Sequence, residues 1–218
     1  MRLTNMMNTP SLQRGFSMIE VAVSMAVMGI LMASVAPSVS TWMGNTRIRN
    51  AAESIQTGLQ RARNEALRRN QTVRFSLVSL TDPKTLDNTC ALSATSGSWV
   101  VSVASPVNKC ATAPSTTTSP QLVDAHPVGD GGDGVTVTAT QSDGATAATS
   151  VAFNAFGQVI TGTDSVTGSQ PIANISVVSA TSGSDYRRLK LVISTGGRVV
   201  MCDQAVTDAH DTRYCPAS

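Results

Sequence analysis

Phe16 to Ala36 is an unbroken run of 21 residues in which Glu20 is the single charged side chain. A helix of that length rises about 30 Å, the thickness of a bilayer's hydrocarbon core. The chain must therefore place this segment in lipid or against other apolar helices. An ionised carboxylate in such surroundings costs several kcal/mol, so Glu20 calls for a partner or a function that compensates. Arg2 and Arg14 precede the run and residues 1–15 contain no acid, which predicts a cytoplasmic leader and puts everything from about residue 40 across the membrane. The competing reading is an ordinary signal anchor with a chance Glu. A secretory peptide fits less well, since the run is long and no A-x-A pattern interrupts it cleanly.

Pro37 removes one helical hydrogen bond and predicts a kink, but an apolar stripe resumes beyond it at Ile48, Ala51, Ala52, Ile55, Leu59, Ala62 and Ala66, spaced by three and four. Arg47, Arg49, Arg61, Arg63, Arg68 and Arg69 occupy other positions beside Glu53 and Glu65 and read as a solvated face or as contacts to anionic headgroups. The expectation is one long, kinked helix from Phe16 to Asn70: residues 16–36 in the membrane, 37–70 amphipathic and laid on a head formed by 71–218. Downstream the pattern changes to β-branched runs, predicting strands near 72–80, 98–103, 134–140, 150–154, 158–161, 174–179, 187–194 and 198–202. One helix followed only by strands predicts an α+β fold with an antiparallel sheet. Gly157 and the pair Gly196-Gly197 mark two hairpins. Residues 111–120 and 128–134 read as exposed loops, and His126, before Pro127, as a loop residue.

Cys90, Cys110, Cys202 and Cys215 form an even set in an exported segment, which reads as a disulfide framework. Three pairings are possible, and loop proximity favours Cys90 with Cys110 and Cys202 with Cys215. Zinc is disfavoured, because no Cys-x-x-Cys occurs and the two histidines are His126 and His210. Asp130-Gly131-Gly132-Asp133-Gly134, with Asp124 nearby, could cradle calcium, but a glycine-rich turn explains it more simply. No Gly-x-Ser-x-Gly, phosphate-loop or His-Glu-x-x-His motif is present, so neither catalysis nor a cofactor is expected.

The run Gly15-Phe16-Ser17-Met18-Ile19-Glu20-Val21, behind a basic leader and ahead of an apolar helix, resembles the class III signal of type IV pilins and type II secretion pseudopilins. Phe153-Asn154-Ala155-Phe156-Gly157-Gln158-Val159, then Gly197-Arg198-Val199 leading to Cys202-Asp203, is similar to GspH/FimT-like, and more narrowly FimU-like, minor pilins and pseudopilins. The resemblance implies a type IV pilin-like fold. It implies that a prepilin peptidase cuts after Gly15 and methylates the amino group of Phe16, and that Glu20 neutralises that amino group on a neighbouring subunit. It further implies an inner-membrane protein with one span and a periplasmic head, later extracted into a filament. Other minor pilins, the major pilin and the inner-membrane assembly platform are its implied partners, with membrane lipid before assembly. A minor pilin near the pilus tip is the primary reading, and a GspH-type pseudopilin of type II secretion the alternative.

A third reading is a DNA receptor. FimT-like receptors carry G-R-x-R at the C-terminal hairpin, whereas this chain has Gly197-Arg198-Val199-Val200, with Val200 in place of the second arginine. Arg187, Arg188, Lys190, Arg198 and Arg213 could form a basic patch, diluted by Asp203, Asp208 and Asp211. Residues 70–218 hold eight basic and eleven acidic residues, a balance that repels phosphates, so DNA is possible but not favoured.

Overall fold

The computed structural model describes residues 16–183 and 185–216, apart from the side chains of 34–37. Helix α1 runs Met18–Arg69, and its residues belong to two compact units, Met1–Ser40 and Thr41–Ser218. Pro37 lies within the helical span. The leader falls outside the described residues.

In the first unit the helix starts because Ser17 caps it. The Ile19 N–H donates to Ser17 Oγ at 3.2 Å, and the Glu20 N–H donates to the Ser17 carbonyl at 3.0 Å, satisfying donors that the first turn leaves open. From Phe16 to Met32 the large apolar side chains are exposed.

In the second unit every member of the sequence's apolar stripe, from Ile48 to Ala66, is buried in the main core. Asn70 adopts a left-handed φ of 53°, and the Gln71 N–H donates to the Ala66 carbonyl at 3.3 Å. That is a Schellman end, with Asn replacing the more usual Gly. Gly58 sets how closely helix and sheet approach: a Cβ there would stand 2.8 Å from both Phe75 and Trp99 ring atoms. The Trp99 indole N–H donates to Ser54 Oγ at 3.0 Å and fixes the same contact.

The helix packs on strands β1 Val73–Ser79, β2 Ala91–Leu92, β3 Trp99–Ser102, β4 Leu122–His126, β5 Val135–Thr140, β6 Ser150–Phe153, β7 Asn174–Ser179, β8 Leu189–Ile193 and β9 Val199–Asp203. All pairings between strands are antiparallel, and the strands divide between two sheets. One has the order β2-β1-β3-β4, with β6 also paired to β1; the other is β5-β7-β8-β9. The class is α+β, as the sequence implies.

β1 is buried on both faces. Val73, Phe75 and Leu77 join the helix-side core, while Val78 joins a second cluster with Val100, Leu122 and the bonded pair Cys90–Cys110. Arg74 points away from the helix yet is only 8% exposed. Its guanidinium grips Asp164 through two hydrogen bonds, at 2.7 and 3.0 Å, and also donates to the Val103 carbonyl. A buried charge is tolerated because it is paired and its donors are used.

The structure corrects three expectations. Residues 158–161 form no strand; Val159 makes an isolated bridge to Phe153 and gives its N–H to Thr195. β2 went unread because a two-residue strand carries no period. His126 is not in a loop: it ends β4 and stacks on Trp99, ring centroids 5.8 Å apart. Asp and His within Leu122–His126 hid the alternation that marks a strand.

Candidate functional site

Two regions carry the residues singled out by the sequence. The first is the start of α1. Gly15 lies outside the described residues. Phe16 is 83% exposed, and Glu20 occupies the helix's first turn, one turn past the Ser17 cap. A carboxylate there is favoured by the positive end of the helix dipole and sits on an otherwise apolar surface. The arrangement can offer one negative charge to a cationic partner that approaches through apolar surroundings. Ser17 was missed as a contributor, although Ser-x-x-Glu ahead of an apolar run is a legible helix-start signal.

The second region is the pair of hairpins. Asn154 Oδ1 accepts the N–H groups of Phe156 at 2.9 Å and Gln158 at 3.0 Å, and Gly157 takes a φ of 72°. The Gly157 carbonyl accepts from Arg63 Nε of α1 at 3.0 Å. Gly197, at φ 78°, lies so close that a Cβ on it would stand 2.0 Å from that carbonyl. The Val159 N–H donates to Thr195 at 2.9 Å. The two glycine turns, one from each sheet, thus meet under one arginine of the helix. Arg63 is therefore a clasp residue and not part of a purely solvated face.

Other helix arginines are also engaged. Arg61 pairs with Asp124 at 3.1 Å and Arg49 with Glu53 at 2.9 Å. Arg68 and Arg69 both bind Glu65. Hydrogen bonds from Arg68, opposed by burial and reinforced by Arg69, lower the Glu65 carboxyl to about 2. Asp124, considered with the Asp130–Gly134 loop, is paired with Arg61. Among the described residues no three His, Cys, Asp or Glu side chains gather as a metal-binding set.

The basic residues considered for DNA are separated. Arg187 and Arg188 precede β8, and the Arg187 N–H donates to Asn45 Oδ1 of α1 at 2.7 Å. Arg198 is at the opposite end of the same strand, in the turn to β9, where its carbonyl accepts from Ser194 at 3.0 Å. Six residues of strand separate Arg188 from Ser194, about 20 Å at strand rise. Lys190 lies between, opposite Cys202. Arg213 is held by Asp211 at 2.7 Å, and hydrogen bonds from Arg213 keep that carboxyl near 2. The Cys202–Cys215 bond closes the tail, whose Arg213 carbonyl accepts from Asp203 while Arg188 accepts from Gln204.

The profile described as "Type II transport protein GspH" matches residues 51–197, and the one described as "Prokaryotic N-terminal methylation motif" matches residues 10–36. A search of curated proteins finds no match. Two crystal structures of the type IV minor pilin FimU from Pseudomonas aeruginosa (strain PAO1) are similar in part. One shows 17% identity over 70% of this chain and 90% of FimU, with a TM-score of 0.40. The other, in a second crystal form, shows 16% identity over 71% and 87%, with a TM-score of 0.39. α1 is long and apolar enough to cross a membrane. With a methylation motif at its start and a GspH match across more than half its length, the chain belongs to the GspH family of pilin and pseudopilin subunits.

Proposed function

We propose that this chain is a minor type IV pilin, a filament subunit near the pilus tip, cut after Gly15 and methylated at Phe16. The observation that carries a filament role is the contrast within α1. The stripe from Ile48 to Ala66 is consumed by the head, whereas the large apolar side chains from Phe16 to Met32 are exposed. Such a segment is stored in the inner membrane and then packed among the helices of neighbouring subunits, where Glu20 meets a neighbour's amino group. The head lies in the periplasm before assembly, with the leader cytoplasmic, as Arg2 and Arg14 favour. Its partners are the prepilin peptidase, the assembly platform, other minor pilins and the major pilin. The work is packing, not catalysis.

The family description favours a second reading, a pseudopilin of type II protein secretion. Deleting the gene separates them. Loss of surface pili with secretion intact supports the pilin, while loss of exported enzymes with pili intact overturns it in favour of the pseudopilin. For either, mass spectrometry of the mature chain should begin at methylated Phe16. A mature terminus near Ser40 would reject both. A DNA receptor draws little support, because Arg198 stands apart from Arg187 and Arg188, and Val200 adds no charge. Its test is duplex binding by the chain. Affinity no better than about 10⁻⁵ M at physiological salt fits the non-specific range.

A further inference from the structure

Ser115-Thr116-Thr117-Thr118-Ser119, between Pro114 and Pro120, is the longest run of hydroxyl side chains in the sequence, and no charged residue lies between Lys109 and Asp124. The run folds into a shaped turn. The Ser115 N–H donates to the Leu122 carbonyl at 2.9 Å, and Ser115 Oγ accepts from the N–H groups of Thr117 at 3.2 Å and Thr118 at 2.9 Å. The Gln121 N–H closes the turn on the Thr118 carbonyl at 2.7 Å. At the far end the buried Pro120 offers its carbonyl to the N–H groups of Val103 and Ala104, just after β3. Upstream, Cys110 is bonded to Cys90. The tract is therefore anchored on both sides while its middle faces solvent.

Ser115 uses its hydroxyl to hold the turn. Thr116, Thr117, Thr118 and Ser119 are exposed, and among the described residues their hydroxyls make no hydrogen bond. Other loops rich in Ser and Thr differ. In residues 161–169, Thr163 Oγ1 accepts from Gln170 at 3.0 Å, Thr167 Oγ1 bonds both Asp164 and Ser150, and Ser169 Oγ donates to the Gln170 carbonyl at 2.8 Å. Thr146 is bonded to Asp143 in the turn before β6. Such bonds are how hydroxyl side chains stabilise turns. The four consecutive hydroxyls at 116–119 do no such work for the fold, and without a charge beside them they offer a partner no ion pair.

A proline-flanked tract of exposed Ser and Thr has the composition of segments that carry O-linked sugars. The neighbouring Cys90–Cys110 bond belongs to an oxidising compartment. Nucleotide sugars are cytoplasmic, so an activated sugar in that compartment is carried on lipid. We propose that Thr116, Thr117, Thr118 and Ser119 are acceptors for an O-linked glycan, transferred from a lipid-linked sugar diphosphate. The hydroxyl oxygen attacks the anomeric carbon of the sugar. The carbon–Oγ bond forms, the bond from that carbon to the phosphate oxygen breaks, the diphosphate leaves on its lipid, and the hydroxyl proton passes to a base of the transferase. No oxidant or reductant takes part. The inference rests on the export of the head argued above, and holds whether the filament serves a pilus or secretion.

The test is mass spectrometry of the full chain, purified from membranes of the organism that encodes it. After reduction, cleavage behind Lys109 and ahead of Asp124 releases residues 110–123. The greater part of that peptide should be heavier by whole sugar residues, and electron-transfer fragmentation should place the added mass on 116–119. The combined variant Thr116→Ala, Thr117→Ala, Thr118→Ala and Ser119→Ala, which alters exposed side chains alone, should yield the peptide at its unmodified mass while both disulfides still form. A wild-type peptide at its unmodified mass, a phosphate increment, or sugar on Thr112 instead would each overturn the inference. If that result comes from a chain beginning at methylated Phe16, the filament reading stands and the glycan alone is lost; a chain that keeps its leader removes both.

Discussion

Ile30 and Ile55 sit on the same helix, yet Ile30 is 71% exposed and Ile55 is wholly buried. The difference lies in the pattern around them. Ile55 belongs to a stripe, with Arg49, Glu53 and Arg61 turned elsewhere, and a stripe can be satisfied by one sheet of the same chain. Ile30 belongs to a segment apolar on all sides, which a single sheet cannot cover and which needs lipid or several helices. The comparison teaches that a period names an internal partner, whereas unbroken apolarity names an external one.

The largest effect that would sharpen this contrast is expected inside the head. Arg74→Ala leaves Asp164 ionised and unpaired in a largely enclosed site, and should cost about 3–5 kcal/mol in denaturant unfolding of the full chain in micelles. Next, Leu59→Ala should cost about 3 kcal/mol, since a buried leucine leaves a cavity that rigid neighbours cannot fill. Ile30→Ala should leave the head's unfolding midpoint unchanged. A shift there comparable to that of Leu59→Ala would break the comparison.

Acid should reach the head through Glu65 and Asp164. Hydrogen bonds from Arg68 place the Glu65 carboxyl at about 2, below its ordinary 4.5. Burial works against the Asp164 charge, but hydrogen bonds from Arg74 and the Val166 N–H hold it below 3.8. A folded value below the unfolded one means that the contribution is complete above the ordinary pKa and is lost as pH falls toward the folded value. The unfolding midpoint should therefore drop as pH falls from about 4.5 toward 2, and Glu65→Gln should flatten that slope.

Two smaller effects test the approach of helix to sheet and the helix start. Gly58→Ala gains up to about 1 kcal/mol of helix propensity but forces a methyl against Phe75 and Trp99, so a net loss of about 1–2 kcal/mol is expected. A stabilised variant would show that the sheet yields. Ser17→Ala should weaken the first turn by about 1 kcal/mol, read as faster amide exchange at Ile19 with no change in the head.

The same contrast explains what could be read from sequence. The stripe from Ile48 to Ala66 and the strands β1, β5 and β7 announced themselves by period or by β-branched runs, because burial of one face or two leaves a regular trace. Arg74 and Asp164 left none: their bond joins residues ninety positions apart, and no local pattern encodes it. β4 was hidden for a related reason. Asp124 and His126 face the helix flank, where a polar residue serves, so the alternation that marks a strand was erased. Arg63 looked like one more surface arginine until the fold brought Gly157 to its guanidinium. At the candidate site, the apolar run and Glu20 were plain, but the separation of Arg198 from Arg187 required knowing which ends of β8 they occupy.

The meeting of Arg63, Gly157 and Gly197 couples the helix to a turn from each sheet at one place. Beyond the core that already joins the helix stripe to both sheets, one carbonyl receives the guanidinium while the neighbouring turn lies against it. Displacing the Gly157 turn would break the Arg63 hydrogen bond and remove the surface that Gly197 lies against, while the helix stripe stays buried in the core. The two hairpins and residues 63–67 of the helix therefore share one junction, so a change at any of Arg63, Gly157 or Gly197 is felt by both sheets of the head.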